Sequence, residues 1–130
     1  MAPLGPIVST DWLGDQLHDD DIRIVDCRFY LPEPQRGEAE YAAAHIPGAR
    51  YCSLDDHLTA PEGPGRHPLP DEAAFAAVVR GLGIGDRHTV VVYDQGDASM
   101  APRMWWMLRS LGHDKTVVLN GGWASWIAEP

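Results

Sequence analysis

Thr89-Val-Val-Val-Tyr93, running straight into Asp94-Gln-Gly-Asp-Ala-Ser-Met-Ala-Pro102 and then Arg103–Leu111, decides the fold. Four apolar residues follow Thr89 without polar alternation, so both faces of this strand must be covered. Arg103–Leu111 predicts a helix, and Thr116–Leu119 (TVVL) a second strand of the same buried kind. Buried strands separated by a helix read as parallel neighbours, because a crossover returns the chain to the same end of the sheet. Working outward, Ile22–Asp26 (IRIVD) is a third strand candidate and Ala49–Cys52 a short fourth. Ser9 or Thr10 caps a helix through Leu17, and the alanine-rich Glu38–His45 predicts another, stopped by Pro47–Gly48. Pro70–Asp71 opens a helix in which Phe75, Val78, Val79 and Leu82 repeat at helical spacing, with Gly81 and Gly83 at its end. Gly121–Gly122 turn the chain into a last helix carrying Trp123 and Trp126. The expectation is one doubly wound α/β domain over residues 1–130.

Bulk properties narrow the function classes. At 130 residues, 45% apolar and 22% charged, the composition is that of an ordinary globular domain. The net charge is −9, and residues 1–72 hold fourteen acids against five cations, so the whole excess lies in the first half. No basic stripe exists to neutralise phosphates, which argues against nucleic acid as a partner. No apolar run approaches bilayer length, and Met1–Pro6 lacks the basic start of a secretory signal. Neither Cys27 nor Cys52 stands at metal-ligand spacing. One bridge between them stays open, but reduced thiols in the cytoplasm are the simpler reading. Gly81-Leu-Gly-Ile-Gly85 follows a helix instead of a strand, so it is not a dinucleotide loop. No cofactor and no metal are expected.

Ligands of doubly wound sheets bind beyond the carboxyl ends of the strands. At the first such exit Cys27 sits beside Arg28, where a guanidinium could activate a thiol. The competing reading is a small buried cysteine flanked by a structural Asp26–Arg28 pair, the commoner fate of a free cysteine. At the second exit Asp94 precedes a helix, whose amide groups suit an anion. A nucleophilic carboxylate is chemically conceivable there, but no paired carboxylate accompanies it, so a capping role is favoured. Between the elements, residues 53–70 hold four of the eleven prolines, and 18 residues is long for a mere connector. That stretch carries Asp55 and Asp56 and ends in Arg66-His67-Pro68-Leu69-Pro70. His67 can move a proton or simply hydrogen-bond its own loop.

Several motifs in order resemble the rhodanese-like domains. They are Val25-Asp-Cys-Arg-Phe-Tyr-Leu-Pro32, Tyr41, His45-Ile-Pro-Gly-Ala49, Val91-Val-Tyr-Asp94, Ala101-Pro-Arg-Met-Trp-Trp-Met-Leu-Arg109, Gly112-His113 and Leu119-Asn-Gly-Gly-Trp123. The Phe29–Pro32 run and the Ala-Pro-Arg-x-Trp-Trp segment are similar to the N-terminal half of tandem-domain thiosulfate and 3-mercaptopyruvate sulfurtransferases. The resemblance implies a central five-stranded parallel sheet flanked by helices. It implies transfer of sulfane sulfur through a cysteine persulfide to cyanide or another thiol, the cysteine lying just after the fourth strand. Here that position is Asp94, in a pseudo-active-site loop with Arg103, and a carboxylate carries no persulfide. The chain alone is therefore expected to be inactive, with the nucleophile on a C-terminal rhodanese domain as partner and small anionic sulfur donors as substrates. The resemblance further implies an auxiliary proton relay from Asp55 and His67, and a domain interface at Arg28, Phe29 and Tyr30. It also leaves an exposed apolar surface around Phe29, Tyr30 or Trp105-Trp106 that could self-associate. Two departures stand out. Pro68 follows the histidine, and the loop is about one residue longer than the pattern, which lets Asp56 compete with Asp55. Two alternative classes remain. One is a stand-alone, non-catalytic binding or regulatory module. The other is a phosphatase of shared architecture, which needs a cysteine and an arginine six residues on, and the Asp94 loop has no cysteine.

Overall fold

The computed structural model describes residues 6–30, 33, 35–53 and 71–128. Five strands alternate with five helices among them. They are β1 (Ile7–Val8), α1 (Thr10–Gln16), β2 (Ile22–Asp26), α2 (Arg36–Ala43), β3 (Arg50–Tyr51), α3 (Glu72–Gly81), β4 (Thr89–Tyr93), α4 (Ala101–Ser110), β5 (Thr116–Leu119) and α5 (Gly122–Ala128). The sheet is parallel throughout, in the order β1-β5-β4-β2-β3. The chain steps outward from β2 to β3 and then returns to place β4 on the other side of β2. The topological switch point thus lies between β2 and β4, whose five residues pair in register from Ile22–Thr89 to Asp26–Tyr93.

Val90, Val91, Val92 and Tyr93 are all completely buried, because the two faces of β4 meet different helix layers. Val90 and Val92 pack with Phe75 and Val79 of α3 and Met104 and Leu108 of α4. Val91 and Tyr93 pack with Leu13 of α1, Tyr41 of α2 and Trp123 of α5. The unbroken apolar run is the signature of this double cover.

The element boundaries hold for β2, β4 and β5. α4 begins two residues earlier than expected, since Pro102 sits in its first turn, where a missing N–H costs nothing. α2 is shifted towards the N-terminus, running from Arg36, which pairs with Glu40, to Ala43. Ala44 is already extended, with its carbonyl accepting from Arg28 Nη2 at 2.7 Å. β3 shrinks to Arg50–Tyr51. β1 was not expected at all, because two residues carry no periodicity. It is read only from its pairing with β5.

Candidate functional site

The carboxyl ends of β2, β4 and β5 converge on one knot of buried polar groups. Asp26 and Arg28 form an ion pair, Nη2 to Oδ2 at 2.8 Å, with both side chains shut off from solvent. Arg28 Nε also donates to the same carboxylate. The Tyr93 hydroxyl donates to Asp26 Oδ2 at 2.7 Å, and burial together with that carboxylate pushes the phenol well above its ordinary range. Trp123 of α5 lays its ring against the Arg28 guanidinium, 4.4 Å from the centroid. Each buried polar group thereby has a partner, as a low-dielectric interior requires.

The β4–α4 loop closes over its own first residue. The Asp94 carboxylate accepts from the amides of Gly96 at 2.9 Å, Met100 at 3.1 Å and Ala101 at 2.9 Å. It is almost fully buried, so an internal anion sits where the amino end of α4 favours one. Asp94 is thus the capping residue of the favoured reading. Gln95 fastens the loop to the neighbouring exit: its Nε2 donates to Phe29 O at 2.8 Å and its Oε1 accepts from Phe29 N at 3.3 Å. This side chain therefore bridges the exits of β2 and β4, the switch point at which doubly wound folds usually take a ligand. Gly122 has φ +55°, and a Cβ there would come within 2.5 Å of Asp94 O, so only glycine lets β5 exit against the loop. An open cavity of about 270 Å³ borders the loop, lined by Asp94, Pro102, Trp105, Val118 and Asn120. A hollow of about 330 Å³ around Leu111 and His113 sits at the opposite end of the strands, away from these groups.

Each candidate residue among those described now has a place. Cys27 is no activated thiol. Burial, with Cys52, Asp26 and Asp94 adding to it, pushes its pKa well up, and Arg28 is engaged by Asp26. Burial pushes the Cys52 thiol up to about 12. Both are free cysteines. Arg103 shares the loop region with Asp94, half-buried on the first turn of α4, where burial lowers its pKa. The exposure expected at Phe29 is not found. Phe29 is 3% and Arg28 1% exposed, because both fold into the knot. Tyr30 is half-buried, its hydroxyl donating to Glu40 at 2.8 Å, and Arg36 stacks on its ring. Of the paired tryptophans, Trp106 is half exposed while Trp105 donates to Thr116 O. Asp55, Asp56 and His67 lie outside the described residues. Sequence reasoning missed Tyr93 and Gln95. A hydroxyl inside an apolar strand does signal a buried partner, whereas nothing local marks Gln95 as a clamp.

The family model of the rhodanese-like domain matches residues 9–129. The chain belongs to that family. As a rhodanese-like domain it is 45% identical, over 95% of its length, to thiosulfate/3-mercaptopyruvate sulfurtransferase 2 of Arabidopsis thaliana. It is 40% identical, over 92% of its length, to the 3-mercaptopyruvate sulfurtransferase of Escherichia coli K12. The crystal structure of an Escherichia coli 3-mercaptopyruvate sulfotransferase superposes on 97% of the domain with a TM-score of 0.87 and 36% identity. The domain spans 36%, 43% and 48% of those three chains, less than half of each.

Proposed function

We propose that this rhodanese-like domain is the non-catalytic, N-terminal-type half of a thiosulfate/3-mercaptopyruvate sulfurtransferase. The persulfide-carrying cysteine then belongs to a second rhodanese domain. The observation that carries this reading is Asp94, a buried carboxylate holding three loop amides just after β4, where the family resemblance calls for a nucleophilic cysteine. Sulfur transfer needs a thiolate at that point, and the two thiols of the chain are buried and protonated at neutral pH. That the domain spans less than half of its relatives supports a missing partner. In this reading the domain supplies interface residues such as Tyr30. It also supplies an Asp55–His67 relay that protonates the enolate left when the mercaptopyruvate C–S bond breaks. Thiosulfate or 3-mercaptopyruvate is the donor, and cyanide or a thiol the acceptor. The compartment is the cytoplasm, a reading supported by the two free thiols. Among the described residues no helix is long and apolar enough to cross a membrane.

The test is thiocyanate formation from cyanide, with each donor, by the 130-residue chain and by its full-length parent. The isolated chain is expected to be silent and the parent active. In the parent, His67→Ala should depress turnover of mercaptopyruvate more than of thiosulfate. Activity of the isolated chain that disappears in Cys27→Ser would overturn the reading. A stop codon directly after Pro130 would shift the balance to a stand-alone binding module.

A further inference from the structure

Two buried nucleophiles take no part in the chemistry above, and the sheet sets them side by side. β2 and β3 run parallel with Val25 opposite Arg50 and Asp26 opposite Tyr51. The Cys52 N–H extends that ladder by donating to Asp26 O at 2.9 Å. The next facing pair is therefore Cys27 and Cys52. Side chains alternate along a strand, so Cys27 shares the face of Val25, and Cys52 lies in the same core cluster. Facing positions on adjacent strands stand about 4.8 Å apart, inside the roughly 4.4–6.8 Å Cα window that a disulfide spans. We propose that Cys27 and Cys52 form a redox latch, an intramolecular disulfide that a hydroperoxide installs across the ends of β2 and β3.

The sheet also sets the order of events. Cys27 is held at the centre, its N–H donating to Tyr93 O at 2.7 Å. Cys52 directly follows a two-residue edge strand that, among the described residues, is joined to the sheet only through β2. Local opening starts at such edges, so Cys52 meets the oxidant first. Its thiolate attacks one peroxide oxygen, the O–O bond breaks, and a sulfenic acid forms with loss of water. The Cys27 sulfur then attacks the Cys52 sulfur. The S–O bond breaks, and hydroxide leaves as water with the Cys27 proton. Two thiols lose two electrons in all, and one hydrogen peroxide becomes two waters. Burial holds both thiols above their ordinary range, so the reaction is slow at neutral pH. The inference stands apart from the sulfur-transfer reading, since it uses neither Asp94 nor a second domain.

The experiment exposes the purified chain to hydrogen peroxide and follows intact mass, thiol titre and a peptide map. Both thiols should disappear together, with a mass lower by two hydrogens and a Cys27–Cys52 linked peptide that dithiothreitol releases. The oxidised form should unfold at higher urea than the reduced form. Cys27→Ala should stop at a Cys52 sulfenic acid that dimedone traps, while Cys52→Ala should keep Cys27 as a thiol under the same exposure. Sulfinic or sulfonic acids as the end products at either sulfur of the unsubstituted chain, disulfide-linked dimers, or two thiols that persist until urea unfolds the protein would each overturn the latch. The map of the unsubstituted chain decides even if an alanine variant does not fold.

Discussion

Removing the Asp94 carboxylate strands three amides at once. Gly96, Met100 and Ala101 all donate to it, and Asp94 itself is 2% exposed, so water cannot readily take its place. Asp94→Ala should cost about 2–4 kcal/mol of stability in urea unfolding, the range for a lost cap combined with unsatisfied buried donors. Asp94→Asn keeps an acceptor oxygen and should cost less. Equal stability of Asp94→Ala and the unsubstituted chain would mean that the loop is held from elsewhere. His88 offers a second residue-scale prediction, in pH. It is buried, its Nδ1 accepts from the Gly85 N–H at 2.7 Å, and burial, with Arg23 and Arg87 adding, lowers its pKa. Asp21 opposes the shift and His113 adds to it. A histidine harder to protonate when folded leaves the unfolded chain binding more protons just below pH 6.5, the ordinary histidine value. This contribution to stability is therefore complete above that value and is lost as pH falls from it through the lower value of the folded state. Urea midpoints taken between about pH 5 and 7.5 should fall on acidification. They should fall less in His88→Asn, whose side-chain oxygen can still accept from Gly85.

At the scale of elements, α2 is seated on β2 by the absence of a side chain. A Cβ at Gly37 would come 2.0 Å from the Arg28 carbonyl oxygen and 2.9 Å from the Tyr51 hydroxyl. That hydroxyl already donates to the same carbonyl at 2.8 Å. Gly37→Ala must therefore move the helix off the strand exit. The expected loss is about 1–3 kcal/mol, the usual cost of overpacking, read as a lower urea midpoint. An unchanged midpoint would show that α2 shifts freely. Sequence pattern could not reveal this contact, because the spacing of Gly37 from Arg28 says nothing about a helix lying back over its own incoming strand. The same limit explains which elements were legible. β4 and β5 are unbroken apolar or β-branched runs, β2 gathers Ile22, Ile24 and Val25 in five residues, and α3 shows its stripe at Phe75 and Val79. The start of α4 was hidden behind Pro102, a residue that reads as a breaker yet is at home in a first turn. In the site, Asp94 was legible because a carboxylate between a strand and a helix has one common use. The Gln95 clamp was not, since it depends on the register of β4 against β2.

For the whole molecule, the Asp26–Arg28 pair is the point through which distant parts of the chain are joined. It gathers β2, Tyr93 of β4, Ala44 at the end of α2 and Trp123 of α5 around two charges with no access to water. Cutting one charge leaves the other buried and alone, which costs about 3–5 kcal/mol. Domains are stable by only about 5–15 kcal/mol in total, so Asp26→Leu or Arg28→Met should each bring the fold near its limit. Replacing both at once removes the stranded charge and restores apolar volume, and that swap is commonly far less damaging. The double variant should thus be more stable than the sum of the single losses by several kcal/mol, a coupling a double-mutant cycle in urea measures directly. Additive losses would mean that the charges do not act as a pair. The cycle also separates two roles that the structure superimposes. If the double variant regains stability but Phe29 and the Gln95 clamp lose hydrogen-exchange protection, the ion pair is kept for its hold on the strand exits. If protection returns with stability, packing alone shapes that end of the sheet.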